Sequence, residues 1–356
     1  MSQNIYFATN RVMHAAAGAM PAFAEDAVAR DAPFLCGVAT VENIDTQDQN
    51  SGTVTALSTP APGAFAEADL AALLASPNDV VVFIHGAMNG FTDSITRAAY
   101  NQAWLNETVV AGGARSYDMI TFSWPAKADY GLDEPWTLLF TAPEGYYHDW
   151  SAAEASDQHI SRFLALLYAL RARIGNRKMH LLCHSMGCHA LGGAVEAFFR
   201  APPAAAGAPL FDTILLPAGD EESSTFTEPN GGRLSNLRRL GNKIVVYFNR
   251  NDGLMHLSRI ANHLYHLGFY GPPGRPDLKT YPSEVYTFVN CIGLKDTIDT
   301  KKNPAGFDAT HQYYRQTPTV RRDIAMTLAG QNPPRPFFYP HENFHAFKKI
   351  DFSGVE

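Results

Sequence analysis

The feature that most constrains the fold of this chain is a short apolar run that ends in a serine and a glycine. Residues 181–187 read LLCHSMG, and residues 190–194 are mostly alanine and glycine. A buried strand that turns sharply into a helix lifts Ser185 onto an exposed corner, with the helix N-terminus behind it. The pattern is that of a nucleophile elbow, G-x-S-x-G, with Cys183 in the first glycine position. A buried strand that ends in a helix N-cap serine would give the same residues, so the rest of the chain must distinguish the two.

Strand-like and helix-like segments alternate along the chain. Short apolar runs rich in β-branched residues predict strands, and the segments between them carry apolar residues at helical spacing. This alternation predicts right-handed crossovers and an α/β fold with a doubly wound, mainly parallel sheet and helices on both faces. The predicted strands are 5–9, 34–41, 80–84, 119–122, 179–183, 211–216, 244–248 and 285–289. The predicted helices are 64–74, 92–109, one opened by a capping box at 151–154, 237–240, 257–267 and 319–328.

The composition of the 356 residues excludes several classes of protein. Hydrophobic residues make up 46% of the chain, which is enough for a sizeable core and argues against disorder. The net charge of −7 comes without any basic cluster, so a nucleic-acid partner is not expected. No apolar run reaches the roughly 18 residues that a membrane-spanning helix needs.

The cysteines and histidines suggest neither a disulfide framework nor a metal site. Four cysteines at irregular spacing predict free thiols in a reducing compartment. Residues 15–24 imitate a signal peptide, but their apolar part is short and contains a proline, so a cytoplasmic location is expected. The pairs Cys183-His184 and Cys188-His189 match neither zinc nor haem spacing, and their side chains would diverge at a sharp turn. We therefore expect no metal.

Suitable partners for Ser185 follow two other predicted strands. A serine hydroxyl attacks poorly until a neutral imidazole accepts its proton, and a carboxylate must orient that imidazole. Asp252 and His311 lie in loops that a doubly wound sheet brings to the same edge as the serine. Asp252 stands in an Asn-Asp-Gly sequence that is also ordinary turn chemistry, and Asp220, within an acidic cluster after the preceding strand, is the alternative acid. The order serine, aspartate, histidine is that of α/β hydrolases.

Two backbone N–H groups are needed to bind the oxyanion of such a reaction. Met186, directly after the serine, supplies the first from the helix N-terminus. The sequence His85-Gly86-Ala87, directly after the strand at 80–84, makes Ala87 the second donor. His-Gly after a buried strand can be a plain turn, but the two elements rarely occur together by chance.

An aromatic-rich insertion, residues 126–150, follows the strand at 119–122. It is expected to form a lid or the wall of an acyl pocket; the alternative is a cover for one end of the core or a subunit contact. An apolar wall favours a small ester substrate with an apolar or aromatic acyl or alcohol part. The residues expected to contact the substrate are His85, Met88, Trp124, Trp136 and Tyr146.

Two regions are expected along the chain. Residues 1–330 should form the main domain, with 126–150 as its lid or cap segment. Residues 331–356 form a tail rich in proline and aromatic residues. Because exposed aromatic side chains are costly in water, this tail should pack on the body or on a second copy of the chain, which makes a homo-oligomer possible.

The chain resembles serine hydrolases of the α/β-hydrolase fold. It is most similar to a bacterial branch that is largely of unknown function, with some esterase- and lipase-like members. The resemblance implies the triad Ser185, Asp252 and His311, with no metal or organic cofactor. The chain departs from the pattern at Cys183, in the longer segment after residue 125 and in the tail. The matching pieces, spread over residues 4 to 330, are 6–11, 34–41, 82–86 with Asn89, 122–125, 184–187, 251–252, and His311 with Tyr313.

Together these patterns predict a cofactor-independent carboxylic ester hydrolase that works through an acyl-enzyme. A lactonase, amidase, thioesterase or lyase on the same fold stays open, because fold does not determine reaction. A non-catalytic binding protein built on a hydrolase frame is the alternative from another class.

Overall fold

The apolar runs of the sequence form one central sheet in the computed structural model of the chain. The structure describes residues 2–14, 20–127, 142–202, 207–227, 232–262, 265–273, 280–298, 310–341 and 343–350. The strands are β1 (Gln3–Thr9), β2 (Arg11–His14), β3 (Ala22–Ala27), β4 (Leu35–Glu42), β5 (Thr53–Leu57), β6 (Ala61–Pro62), β7 (Asp79–Ile84), β8 (Val109–Val110), β9 (Gly113–Ala114), β10 (Tyr117–Ser123), β11 (Met179–Cys183), β12 (Thr213–Pro217), β13 (Ile244–Phe248), β14 (Tyr286–Asn290), β15 (Phe337–Tyr339) and β16 (Phe344–Ala346).

The sheet is parallel in its interior and antiparallel at both edges. Its strand order is β15-β16-β14-β13-β12-β11-β7-β10-β1-β4-β5, and β6 also pairs with β4. Every neighbouring pair from β16 to β1 is parallel, whereas β15, β4, β5 and β6 run antiparallel to their partners. Every residue of β11, β12 and β13 is buried, as expected when helices cover both faces of a parallel sheet.

Helices cover the two faces of the sheet. The helices are α1 (Glu67–Ala75), α2 (Phe91–Glu107), α3 (Ala142–Ala155), α4 (Asp157–Arg173), α5 (Gly187–Arg200), α6 (Gly253–Asn262), α7 (Leu267–Tyr270), α8 (Tyr313–Gln316) and α9 (Pro318–Leu328), with a 3-10 turn at Leu237–Arg239. Successive residues of β7 alternate between the two faces: Val82 and Ile84 pack in the cluster that includes α4 and α5, and Val81 and Phe83 pack in the cluster that includes α2 and α9. None of the helices in the described ranges is long and apolar enough to cross a membrane.

The helix predicted at 64–74 starts only at Glu67, and the one predicted at 237–240 is a short 3-10 turn. Two other predicted helices differ more. The supposed capping box at 151–154 lies inside α3, and the next helix starts only at Asp157. The two helices are separated at Ser156, whose hydroxyl donates to the carbonyl of Ala152 at 2.8 Å. The helix expected at 257–267 is instead α6 and the short α7. Helix α6 begins earlier than predicted because the Asp252 carboxylate accepts the N–H of Met255 at 3.0 Å and caps the first turn of this helix.

The ends of the chain hold strands that were not predicted. The segment after β1, where no strand was predicted, contains β2 and β3, which pair with each other in antiparallel orientation. The tail from residue 331 provides β15 and β16, and β16 lies parallel to β14. The ring of Phe344 packs edge-on against Phe248 with 5.5 Å between centroids. The tail therefore extends the sheet of the main body.

Only part of the predicted lid segment can be compared with the structure. Residues 128–141, which include Trp136, lie outside the described residues. The end of the segment, from residue 142 onward, belongs to α3.

Candidate functional site

Ser185 stands on a sharp turn between β11 and α5. Its φ of 55° is in the left-handed region, which a residue with a β-carbon rarely adopts. The N–H of Ser185 donates to the carbonyl of Pro217 at 3.2 Å, which ties the turn to the end of β12. A β-carbon on Gly187 would lie 2.5 Å from the carbonyl oxygen of His85, so only glycine allows this close approach. The local structure is therefore the strained elbow that the sequence predicts.

The structure brings Ser185, His311 and Asp252 together in one hydrogen-bonded chain. The distance from His311 Nε2 to Ser185 Oγ is 3.0 Å, and that from His311 Nδ1 to Asp252 Oδ2 is 2.8 Å. Asp252 is wholly buried, and Ser185 is 5% exposed. A carboxylate at Nδ1 favours the tautomer with its hydrogen on that nitrogen and leaves Nε2 to accept the serine proton.

His184 lies directly behind this chain. Its ring centroid is 4.8 Å from that of His311 and 4.8 Å from that of Tyr314. Burial, reinforced by the nearby His311, holds the pKa of His184 well below its usual value. His184 is therefore neutral and adds no positive charge beside His311.

The loop after β7 lies against the nucleophile. A β-carbon on Gly86 would be 2.7 Å from Ser185 Cβ. The side chain of Asn89 donates to the carbonyls of Gly86 at 3.0 Å and of Ala87 at 2.5 Å. Within the described part of the chain, no acceptor takes the N–H of Ala87 or of Met186. Both predicted oxyanion donors are thus available for a ligand atom.

Backbone strain is concentrated around this site. Apart from two asparagines, the described residues other than glycine with positive φ are Met88, Ser185 and Ala218. They follow β7, β11 and β12, which are neighbours in the sheet. Such strain persists only where the surrounding structure over-determines it, and it collects at functional sites.

Asp220, the alternative acid, points elsewhere. Its Oδ1 lies 2.8 Å from Nδ1 of His266 and accepts the Ser258 hydroxyl at 2.8 Å. Burial alone would raise the pKa of Asp220, but His266 and the Ser258 hydroxyl outweigh it and keep the pKa below its usual value. In the structure His311 therefore pairs with Asp252, and Asp220 pairs with His266.

Ser258, His266 and Asp220 form a second serine–histidine–aspartate cluster beside the first. Ser258 Oγ is 3.4 Å from His266 Nε2, but it donates its hydrogen to Asp220. Ser258 lies within α6 rather than on a strained turn. This hydroxyl is therefore a structural donor and lacks the setting of an activated nucleophile.

Two residues expected to contact the substrate are instead buried behind the loop. His85 and Trp124 have no exposed surface, and their rings stack with 5.1 Å between centroids. The Trp124 indole donates to the carbonyl of His85 at 2.7 Å, and burial lowers the pKa of His85 to about 3. The two rings therefore pack against each other in the interior rather than lining the site. Met88 and Tyr146 remain partly exposed.

Sequence reasoning missed two polar residues that hold the site loop. Arg11 donates to the carbonyl of Asn89 at 2.6 Å, and the Asp149 carboxylate accepts the N–H of Met88 at 3.0 Å. Arg11 lies within the segment 6–11 that carries the family resemblance, which is the one signal that marked it. Asp149 lies within the predicted insertion 126–150, but no sequence pattern distinguishes it there, because its role depends on how α3 packs.

The cysteine–histidine pairs at the elbow diverge. Cys188 Sγ donates to the carbonyl of Cys183 at 3.3 Å, whereas Nδ1 of His189 lies 3.3 Å from Glu221 Oε2. In the described ranges, no group of three or more histidine, cysteine, aspartate or glutamate residues has the geometry to hold a metal ion.

This chain matches the model of one protein family and is similar to several solved structures. The model of the family described as "Alpha/beta hydrolase of unknown function (DUF900)" matches residues 64–331. An inhibited esterase B from Lactobacillus rhamnosis is 11% identical, with a TM-score of 0.35, over 71% of this chain and 76% of that one. A gene product of Listeria innocua is 13% identical, with a TM-score of 0.36, over 76% of this chain and 99% of that one. An acylaminoacyl peptidase from Pyrococcus horikoshii is 10% identical, with a TM-score of 0.31, over 86% of this chain and 41% of that one. No curated protein matches this chain.

Proposed function

This chain belongs to the family of alpha/beta hydrolases of unknown function, and on that premise we propose that it hydrolyses carboxylic esters with Ser185 as nucleophile. The observation that carries the proposal is the position of the His311 ring between Ser185 Oγ at 3.0 Å and Asp252 Oδ2 at 2.8 Å. The free N–H groups of Ala87 and Met186 beside the serine support it.

The proposed reaction has two halves. In the first, His311 Nε2 takes the hydroxyl proton as Ser185 Oγ attacks the ester carbonyl carbon, and the oxyanion accepts hydrogen bonds from Ala87 and Met186. His311 then protonates the departing alcohol, which leaves an acyl group on Ser185. In the second half, His311 deprotonates a water molecule that attacks the acyl carbon. The carboxylic acid departs, and Ser185 regains its proton. Asp252 orients His311 throughout.

The proposed substrate is a small ester with an apolar or aromatic group. The partly buried rings of Tyr146 and Trp150 pack against the core cluster that contains Met186, which supports an apolar wall. A lid role for 126–150, self-association through the tail and a cytoplasmic location stay predictions from the sequence. A panel of esters, lactones, amides and thioesters separates the reactions that this fold supports.

The test replaces the nucleophile. Ser185→Ala should lower the kcat for a p-nitrophenyl ester by about 10⁴-fold or more, because the covalent step is lost. It should also abolish labelling by a fluorophosphonate probe while the thermal unfolding curve stays intact. Ser258→Ala is the matched control, because it removes the hydroxyl of the neighbouring cluster and should keep both turnover and labelling. A folded wild-type chain that neither labels nor turns over any ester would instead favour a binding protein.

A further inference from the structure

One buried carboxylate connects α3 to the loops after two strands of the sheet. Asp149 is 0% exposed. Its Oδ2 accepts the N–H of Met88 at 3.0 Å, and its Oδ1 accepts the N–H of Lys127 at 2.8 Å. Nδ1 of His148 is 3.1 Å from the same Oδ1. The carboxylate therefore holds the loop after β7 against the segment after β10.

The contact with Met88 restrains the peptide group that follows Ala87, and other side chains restrain the peptide group that precedes it. A peptide group is planar, so the carbonyl of Ala87 and the N–H of Met88 turn together. Asn89 binds that carbonyl at 2.5 Å, and Asp149 binds that N–H, so the plane is held at both ends. The carbonyl of the preceding peptide, that of Gly86, is engaged by Asn89 at 3.0 Å. The N–H of Ala87 is the donor that these bonds leave unused.

The backbone needs this restraint because Met88 is strained. Its φ of 56° is unfavourable for a residue with a β-carbon. Without the bond to Asp149, the Met88 peptide could relax toward a right-handed or extended conformation and carry Ala87 with it. Donors must be preorganised toward the developing oxyanion to stabilise it, so such a relaxation would weaken the oxyanion hole.

A buried cation, Arg11, also binds this loop. Nη2 of Arg11 donates to the carbonyls of Asn89 at 2.6 Å and Trp124 at 2.5 Å. Burial lowers the pKa of Arg11 to about 10, and the foremost charge that opposes this shift is Asp149. The negative charge of Asp149 thus also stabilises the arginine that secures the loop.

We propose that Asp149 is a positioning residue that keeps the Ala87 N–H directed into the oxyanion hole. The inference rests on the proposed ester hydrolysis. In this proposal Asp149 acts through the backbone of Met88 and not on the reacting atoms.

The test compares an oxygen ester with the corresponding thionoester. Backbone N–H groups hydrogen-bond a developing O⁻ far better than S⁻, so the ratio of the two kcat/KM values reports the oxyanion hole. Asp149→Asn retains the shape but loses the charge and one acceptor. It should lower kcat/KM for the oxygen ester by about 10²-fold. It should also bring the ratio of the two kcat/KM values toward the ratio expected when no oxyanion hole assists the reaction. Its KM should change little, because the ground-state contacts are unaffected.

Asp323→Asn is the matched control. Asp323 is also buried and accepts three hydrogen bonds from neighbouring side chains, but it lies in α9, away from the loop. Loss of folded protein lowers both kcat/KM values equally, so the control should leave the ratio at the wild-type value.

A wild-type ratio in Asp149→Asn overturns the inference whatever its stability, and leaves ester hydrolysis standing. If Asp149→Asn does not fold, Asp149→Glu, which keeps the charge but displaces both oxygens by one methylene, is judged by the same ratio. A folded wild-type chain that turns over neither ester overturns the proposed function and this inference with it.

Discussion

At the scale of single residues, the absence of a side chain at Gly86 lets the loop after β7 touch the nucleophile. A β-carbon there would lie 2.7 Å from Ser185 Cβ and 3.2 Å from the carbonyl oxygen of His184. Neither neighbour can yield easily, since both belong to the buried elbow between β11 and α5. The distance between the loop and the serine is thus set by one glycine.

Gly86→Ala should therefore separate the oxyanion donors from the serine and lower kcat by about 10²-fold, which is the expected effect of a displacement near 1 Å. Gly207→Ala is the matched control, because a β-carbon at Gly207 meets no heavy atom within 4 Å. Ester kinetics and thermal unfolding of both variants provide the measurement. A Gly86→Ala enzyme with wild-type kcat would show that the loop does not contribute a donor.

The members of the candidate site differ in how far the sequence reveals them. Ser185, Asp252 and His311 each follow or flank a strongly patterned element, so the topology alone brings them to one edge. Whether a side chain such as Trp124 points into the site or into the core depends on packing across the sheet. The sequence pattern carries no information on that choice, and there the prediction placed a buried residue in the substrate pocket.

At the scale of elements, strands with long β-branched runs were predictable and short strands were not. The continuous apolar run of β7 is typical of a strand that is buried on both faces of a parallel sheet, so its structure could be predicted. β15 and β16 have three residues each, too few for a pattern, and exist because the edge of β14 is available to them.

The tail is anchored by a buried ion pair as well as by strand pairing. Nη2 and Nε of Arg335 bind the two oxygens of Asp323 at 2.7 and 2.9 Å. The Tyr247 hydroxyl donates to the same carboxylate at 2.7 Å. The Arg335 side chain is 7% exposed, so the ion pair is largely shielded from water.

Arg335→Ala should lower the free energy of unfolding by about 3–5 kcal/mol, because it leaves the Asp323 charge buried without a cation. Arg173→Ala is the matched control: Arg173 binds Glu67 through a similar fork on the open surface, so its removal should leave stability unchanged within error. Urea unfolding of both variants gives the comparison. If Arg335→Ala were as stable as Arg173→Ala, strand pairing alone would hold the tail.

At the scale of the whole molecule, three buried histidines couple stability to pH. Burial lowers the pKa of His85 and of His180 to about 3 and that of His184 well below its usual value. In the unfolded chain a histidine titrates near pH 6.5. Below that pH these histidines are protonated in the unfolded state but stay neutral in the folded state. The stability that these histidines provide is complete above about pH 6.5 and is lost progressively as the pH falls below that value, at roughly 1 kcal/mol per pH unit for each.

His180 offers the clearest test of this coupling, because it lies away from the site in β11 and neither of its ring nitrogens has a partner in the described structure. His180→Leu should reduce the loss of unfolding free energy between about pH 6 and pH 5 by roughly 1 kcal/mol. At neutral pH the leucine should be tolerated, since it removes two buried polar atoms without partners. His256, which has an exposed side chain, gives the control, and His256→Leu should keep the wild-type slope. Urea unfolding at several pH values measures the slopes, and an unchanged slope in His180→Leu would mean that other groups cause the acid sensitivity.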